Sequence, residues 1–197
     1  MALTLLAAKT TPISADQAAK ALSAAYKLVV GRKPSFNILK LLVGQWASET
    51  GNGKSIYNYN FGNTMPTGSD KFYQVLHASE VIDGVNTPMD EKFAAYKTIT
   101  DGAQAYIKVL KSRSHWWKGL QSGNIDDFIT GLTTSPKYFT ASPASYKKLL
   151  TDRVSAYSQY AKKYSSNILL TIVESVFGIG LGTAALYAFH KRHRHGA

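Results

Sequence analysis

The chain contains no cysteine, and only 12 of its 197 residues are acidic. The absence of cysteine excludes a disulfide scaffold and any zinc site built on thiolates. It also removes the usual sequence clue to the redox compartment. The sequence has no glycine-rich phosphate-binding loop and no dinucleotide fingerprint, so nothing predicts a nucleotide cofactor. We expect neither a metal nor a cofactor.

The shortage of acidic residues leaves a large positive charge, with a formal net value of +11 at pH 7. Such a surface favours a polyanionic partner, which could be nucleic acid, anionic lipid or the acidic polymers of a cell wall. Charge alone does not choose among them. The hydrophobic share of 45% and the aromatic share of 12% predict a folded chain, with length for one cored domain and an appendage.

Hydrophobic spacing predicts a mainly helical α+β domain with a small β-hairpin over residues 14–165, preceded by an N-terminal arm at 1–13. Ser14 caps a first helix to about Val30, and Ser35 opens a second helix that ends near Glu49. Between residues 71 and 98 two β-like segments flank the turn-prone DGVNTPMDE, which indicates the hairpin. Further helices are predicted from Thr100-Asp101 to about 111, from 114, from 124, and from 142 to about 164.

The last segment of the sequence is apolar. Residues 167–189 read NILLTIVESVFGIGLGTAALYAF, about the length that crosses a hydrocarbon core. Their apolar side chains favour insertion by about 5 kcal/mol, and the single charge at Glu174 opposes it by up to about 3 kcal/mol. We therefore predict a C-terminal transmembrane helix at 166–189 and a basic tail at 190–197; a buried core helix is the alternative. The short MALTLLAAK start has no basic residue before its apolar part, so we expect no secretory signal.

One stretch combines a single carboxylate with many aromatic and amide side chains. Residues 45–63 read QWASETGNGKSIYNYNFGN and place Glu49 at the end of an apolar helix. The negative end of the helix dipole and nearby aromatic rings both raise the pKa of a carboxyl, as a general acid requires. Tyrosine faces can stack on sugar rings, and asparagine amides suit N-acetyl groups. From these residues alone, a solvated helix-end glutamate beside an ordinarily packed loop stays open.

The same stretch resembles the active-site motif of the glucosaminidase family of peptidoglycan hydrolases, which belongs to the lysozyme-like superfamily with the lytic transglycosylases. The family pattern is apolar-Gln-x-Ala-x-Glu-Ser/Thr-Gly-x-Gly, followed by Asn-x-Phe-Gly. Residues 45–53 follow its first part, with Asn52 standing where the family prefers tryptophan, and residues 58–63 (NYNFGN) resemble its second part. The resemblance implies a lysozyme-like fold over about residues 14–165. It also implies that Glu49 protonates the glycosidic oxygen between N-acetylmuramic acid and N-acetylglucosamine.

Weaker similarities continue downstream. Glu80, within SEVIDG, lies where the family places a second carboxylate, and the resemblance implies a second catalytic role for it. Two alternatives need no catalytic Glu80: the substrate's own acetamido group could assist the reaction, or the enzyme could be a transglycosylase that uses a single acid. Segments 93–96 and 138–146 are similar to later family motifs. The substrate-binding residues implied by the resemblance are Tyr57, Tyr59, Asn60, Phe61, Asn63, Tyr96 and Tyr138.

Together these features predict a membrane-anchored enzyme that degrades peptidoglycan glycan strands. We expect a lytic protein in the internal membrane of a bacteriophage particle, used when the genome enters through the wall. The alternatives are a wall-remodelling or lysis enzyme of a bacterial envelope, a non-catalytic lysozyme-like protein linking capsid and membrane, and a membrane-tethered nucleic-acid binder. Expected partners beyond the wall and the lipid membrane are capsid proteins, nucleic acid at the basic tail, and other transmembrane helices packing on the Glu174, Gly178 and Gly182 face.

Overall fold

A computed structural model of the chain describes residues 2–82, 85–134 and 142–166. Residues Met1–Ser165 belong to one compact unit, which is predominantly helical with a small three-stranded sheet. The predicted α+β class is therefore confirmed. The elements are, in chain order, β1 (Thr4–Leu5), α1 (Ala15–Val30), α2 (Phe36–Glu49), β2 (Phe72–Ile82), β3 (Val85–Ala95), α3 (Ile99–Ser112), α4 (Ser114–Ser122), α5 (Ile125–Thr133) and α6 (Pro143–Tyr164).

The helix starts follow the local capping signals. The Ser14 hydroxyl accepts a hydrogen bond from the backbone N–H of Gln17, and the Gln17 side chain accepts one from the backbone of Ser14. This reciprocal capping box starts α1 where the sequence predicts it. The predicted cap of α3 is wrong by two residues, because the Thr98 hydroxyl, and not Thr100, accepts from the backbone of Asp101.

The predicted hairpin is present, but its turn is shorter than expected. β2 and β3 pair antiparallel in unbroken register from Phe72 opposite Ala95 to Ile82 opposite Val85. Most of DGVNTPMDE is therefore strand, because a continuous ladder satisfies backbone groups that a long turn would leave to solvent. The N-terminal arm also contributes, since β1 adds to β2 as a short parallel strand.

Helix α2 is the centre of the core. Its residues from 41 to 47 are all buried, so it is covered on nearly every side. α1, α4 and α6 all pack against it. The contact with α6 is close at Gly44, where a Cβ atom would lie 2.5 Å from a Val154 methyl and 3.2 Å from the Val154 Cα. Glycine at position 44 therefore lets α6 lie directly on α2.

The predicted transmembrane segment at 167–189 and the basic tail lie outside the described residues. Among the residues that are described, none of the helices has both the length and the hydropathy that a bilayer crossing requires.

We predict that Gly44→Val destabilises the fold. The added side chain has to displace Val154 and the α6 backbone, and overpacking of this kind typically costs about 1–3 kcal/mol. Thermal unfolding followed by circular dichroism measures the effect as a lower Tm. Gly68→Val is the matched control, since a Cβ at Gly68 meets nothing within 4 Å. Equal Tm values for the two variants would contradict the close α2–α6 contact.

Candidate active site

Glu49 is the last residue of α2, and its side chain is half-buried between α6 and the loop that follows α2. The Tyr146 hydroxyl, on α6, donates a hydrogen bond of 2.8 Å to the Glu49 Oε1 atom. The Asn63 side-chain amide donates to the backbone carbonyl of Glu49, which is one of the carbonyls that a helix end leaves unpaired. The glutamate is thus held from the side chain and from the backbone.

Burial raises the pKa of the Glu49 carboxyl to about 7, and the hydrogen bond from Tyr146 opposes that rise. The raised pKa expected from the sequence is confirmed, with removal from water as its main cause. Near neutral pH the carboxyl therefore exists in both its protonated and its ionised form. A group of this kind can donate a proton and then remain as a carboxylate.

Tyr146 is held neutral beside the acid. Burial raises the pKa of the Tyr146 hydroxyl, and the charge of Glu49 raises it further. The hydroxyl therefore stays protonated near neutral pH and acts as a hydrogen-bond donor to Glu49. The sequence-based site prediction selected Tyr138 from this part of the chain, and Tyr138 lies outside the described residues. Tyr146 could have been selected from the sequence as well, because it lies in the same segment, 138–146, that is similar to a later family motif.

Gln45 continues the polar contacts into the core. It is fully buried and lies one helical turn before Glu49. The Tyr106 hydroxyl donates a hydrogen bond to the Gln45 Oε1 atom. The Gln45 amide nitrogen lies beside the Tyr146 hydroxyl without a well-aligned hydrogen bond. Two tyrosines from α3 and α6 thus meet the polar side of α2 at Gln45 and Glu49.

The loop after Glu49 depends on residues that accept a positive φ. Gly51 and Gly53 have φ values of 55° and 80°, as the predicted sharp turn requires. A Cβ at Gly53 would lie 2.2 Å from the Ile13 carbonyl oxygen, so glycine is needed there for space as well. Tyr59 also has a positive φ of 52°, a strained value for an aromatic residue. The Thr11 hydroxyl accepts the Tyr59 backbone N–H and helps to hold this conformation.

The residues predicted to bind substrate differ in how far their side chains are exposed to solvent. Asn60 and Phe61 are 2% and 0% exposed, and the Asn60 amide donates to the backbone carbonyls of Thr64 and Ala94. Their side chains therefore support the loop from inside. Tyr57, Tyr59 and Asn63 stay half-buried and partly open to solvent. Glu80 lies in β2 with its backbone opposite Thr87, and the position of its side chain is not described.

Tyr96 belongs to a different cavity. Its hydroxyl donates to Asp70, at 3.0 Å, and it lines a space of about 610 Å³ between the base of the hairpin and α3. Glu49 is not among the residues that line this space. In the described part of the chain, no group of three histidine, aspartate or glutamate side chains is placed to hold a metal ion.

Solved structures with this fold include a peptidoglycan hydrolase, the catalytic domain of an autolysin and a glycoside hydrolase domain. The peptidoglycan hydrolase of Sphingomonas sp. A1 is 22% identical, with a TM-score of 0.56 over 78% of this chain and 95% of that chain. The catalytic domain of the autolysin Auto from Listeria monocytogenes is 19% identical, with a TM-score of 0.53 over 77% and 90%. A truncated glycoside hydrolase domain of FlgJ from Salmonella typhimurium is 19% identical, with a TM-score of 0.50 over 73% and 97%.

No family model matches the sequence, and no curated protein matches it. The likeness is therefore one of three-dimensional structure. The chain has the fold of these peptidoglycan hydrolase, autolysin and glycoside hydrolase domains.

We predict that Tyr146→Phe moves the pKa of Glu49 further above 7. The tyrosine hydroxyl stabilises the carboxylate, so its removal favours the protonated form. Titration of the ¹³C-labelled glutamate carboxyls by NMR, with Glu49→Gln to assign the resonance, measures the shift.

Tyr157→Phe is the matched control, because Tyr157 also lies on α6 but packs edge-on against Trp46 at a centroid distance of 6.3 Å. It should leave the Glu49 titration unchanged. A Glu49 pKa that falls or stays constant in Tyr146→Phe would show that the hydrogen bond does not act on the acid.

Proposed function

We propose that the chain is a glycosidase that cleaves the peptidoglycan glycan strand between N-acetylmuramic acid and N-acetylglucosamine. The observation that carries the proposal is the half-buried Glu49 carboxyl, with a pKa of about 7 and a hydrogen bond from Tyr146. The motif around Glu49 and the fold shared with peptidoglycan hydrolases support the same reaction.

In the proposed reaction, protonated Glu49 donates its proton to the glycosidic oxygen. The bond between that oxygen and the sugar C1 atom breaks, and positive charge develops on the sugar ring. Glu49 is left as a carboxylate, and the Tyr146 hydroxyl stabilises it through the hydrogen bond already present. A pKa near the working pH makes the acid available before the step and allows it to be reprotonated afterwards.

The positive sugar ring must then be captured. Glu80 is the proposed base for a water molecule, because it lies on the hairpin where the family motif places a second carboxylate. The acetamido oxygen of the substrate, or an intramolecular hydroxyl that yields an anhydro sugar, would capture the ring without Glu80. Mass spectrometry of digested peptidoglycan separates the intramolecular route from the two hydrolytic routes, because an anhydro sugar end is lighter than a hydrolysed one by one water molecule.

Substrate contacts are proposed for the side chains near the acid that remain open to solvent. Tyr57 and Tyr59 offer half-buried rings for stacking against sugars, and Asn63 lies directly at the Glu49 backbone. The positive φ of Tyr59 supports this assignment, because strained backbone is often kept where it positions a functional side chain.

The attachment of the enzyme to a membrane is also part of the proposal. It is supported by the apolar sequence at 167–189 and the basic residues that follow it. A membrane-bound enzyme of this kind suits a bacteriophage particle that opens the wall locally during genome entry. Detection of the chain in purified particles tests that placement, and its presence in cell envelopes alone would argue against it.

We predict that Glu49→Gln lowers the clearing of a peptidoglycan suspension by about 10²–10⁴-fold, the usual contribution of a general acid. The same variant should lose a pH dependence of stability. Because the folded-state pKa of Glu49 is raised from 4.5 to about 7, the stabilisation from its protonated form is complete below pH 4.5 and is lost as the pH rises to about 7. At pH 8 the free energy of unfolding of Glu49→Gln should therefore exceed that of the parent, by on the order of 2 kcal/mol.

Asp127→Asn is the control, because this exposed residue of α5 lies on a different helix from the acid. It should clear the suspension like the parent and keep the parent's pH dependence. Parent-like clearing by Glu49→Gln would end the enzymatic proposal. A stability advantage at pH 8 without loss of clearing would show that the buried acid is not catalytic.

A further inference from the structure

Two long stretches of the chain contain no acidic residue. Residues 17–48 include most of α1 and α2, and residues 102–125 include most of α3 and all of α4. Together they carry nine basic residues: Lys20, Lys27, Arg32, Lys33, Lys40, Lys108, Lys111, Arg113 and Lys118. Like charges repel and destabilise a compact domain, so this distribution has a cost for folding.

The fold brings parts of the two stretches together. The Lys111 side chain donates a hydrogen bond of 3.2 Å to the Val29 carbonyl, which joins the last turns of α3 and α1. At the end of α4, a Cβ on Gly123 would lie 2.8 Å from the Cβ of Asn37, in the first turn of α2. The end of α3 thus lies beside the end of α1, and the end of α4 lies beside the start of α2, with only residues 31–35 between α1 and α2. We define the basic end of the domain as Lys27, Arg32, Lys33, Lys40, Lys111 and Arg113.

Helix dipoles explain only part of this charge. Lys27 and Lys111 lie in the last turns of α1 and α3, where a cation is favourable. Lys33 lies just before the start of α2, where the dipole opposes a positive charge, and Lys40 lies in the second turn of that helix. Within the described ranges, none of the six residues of the basic end forms a salt bridge with a carboxylate. Their charge is available to an external partner.

Two large apolar side chains are exposed among these cations. Leu28 is 67% exposed, and Phe36 is 38% exposed with the Lys40 ammonium 5.5 Å from its ring centroid. A hydrophilic polyanion would leave both side chains in water. A lipid bilayer can take them into the boundary between headgroups and acyl chains, while the lysine and arginine heads stay at the phosphates. Exposed apolar groups beside cations that have no carboxylate partner among the described residues are therefore the combination expected of a membrane-surface site.

We propose that the basic end binds the surface of an anionic lipid bilayer. Leu28 and Phe36 insert at the headgroup level, and the six cations contact lipid phosphates. Glu49 lies at the opposite end of α2, and a helix of 14 residues is about 20 Å long. A domain bound in this way keeps its acid away from the lipid. The site depends neither on residues 167–189 nor on the proposed glycosidase activity.

The absence of cysteine permits a direct test in the full chain. Leu28→Cys introduces a single thiol at the basic end for an environment-sensitive fluorophore, and Thr151→Cys places the same label on the exposed side of α6. Each labelled chain is mixed with vesicles of phosphatidylcholine, with or without phosphatidylglycerol, that carry a lipid-bound quencher. We expect a blue shift and quenching only at position 28, and only on the anionic vesicles.

The charge requirement is tested in the Leu28→Cys background. Arg32→Gln with Lys33→Gln should reduce the quenching at position 28 by at least about half, since each cation near a membrane surface contributes to binding. Lys9→Gln with Lys162→Gln removes the same charge from exposed positions elsewhere and should leave the quenching unchanged. Equal quenching at positions 28 and 151, or none at 28, overturns the proposal. Binding of soluble polyphosphate or DNA, with position 28 still in water on vesicles, assigns the basic end to a different polyanion.

Discussion

The close packing of α6 on α2 is the contact on which the candidate site depends. Gly44 lets the Val154 backbone approach α2 without an intervening side chain. Tyr146 lies about two helical turns before Val154, and so the same contact brings its hydroxyl to the Glu49 carboxyl. A wider separation of the two helices would expose the carboxyl to water and lower its pKa towards the ordinary value. The chemistry of the acid therefore follows from a packing distance set by one glycine.

Burial of Glu49 raises the pKa of its carboxyl at a cost in folding stability. A glutamate with a pKa of about 7 is a group whose ionised form is poorly solvated in the folded chain. The hydrogen bond from Tyr146 limits the cost, and the Asn63 amide satisfies the backbone carbonyl at the same residue. The fold tolerates the remaining penalty because most of the apolar residues of α2 are buried in the hydrophobic core. Such local costs are common where a protein keeps a functional group in a strained environment.

Local signals in the sequence were enough for most of the helices and for the position of Glu49 at the end of α2. Ser14, Ser35 and Gly31 act through neighbouring backbone groups, so their effect can be deduced from a few residues. Tyr146 could not be deduced in that way, because it meets Glu49 across 97 positions of sequence. The sequence also did not show which side chains of the loop after Glu49 are buried. Nothing local distinguishes Phe61, which is fully buried, from the half-buried Tyr59 two residues earlier, and the parallel pairing of β1 with β2 joins residues far apart in the chain.

The two ends of α2 differ in their chemistry, and this difference would orient the domain on a charged surface. At its start, the exposed ring of Phe36 lies beside the Lys40 ammonium; at its end, burial raises the pKa of the Glu49 carboxyl. A negative surface attracts the first end and is kept about 20 Å from the second by the length of the helix. Anionic lipid near Glu49 would raise its pKa further and hold it protonated. Separation along α2 therefore allows the domain to rest on a charged membrane while its acid still titrates near neutral pH.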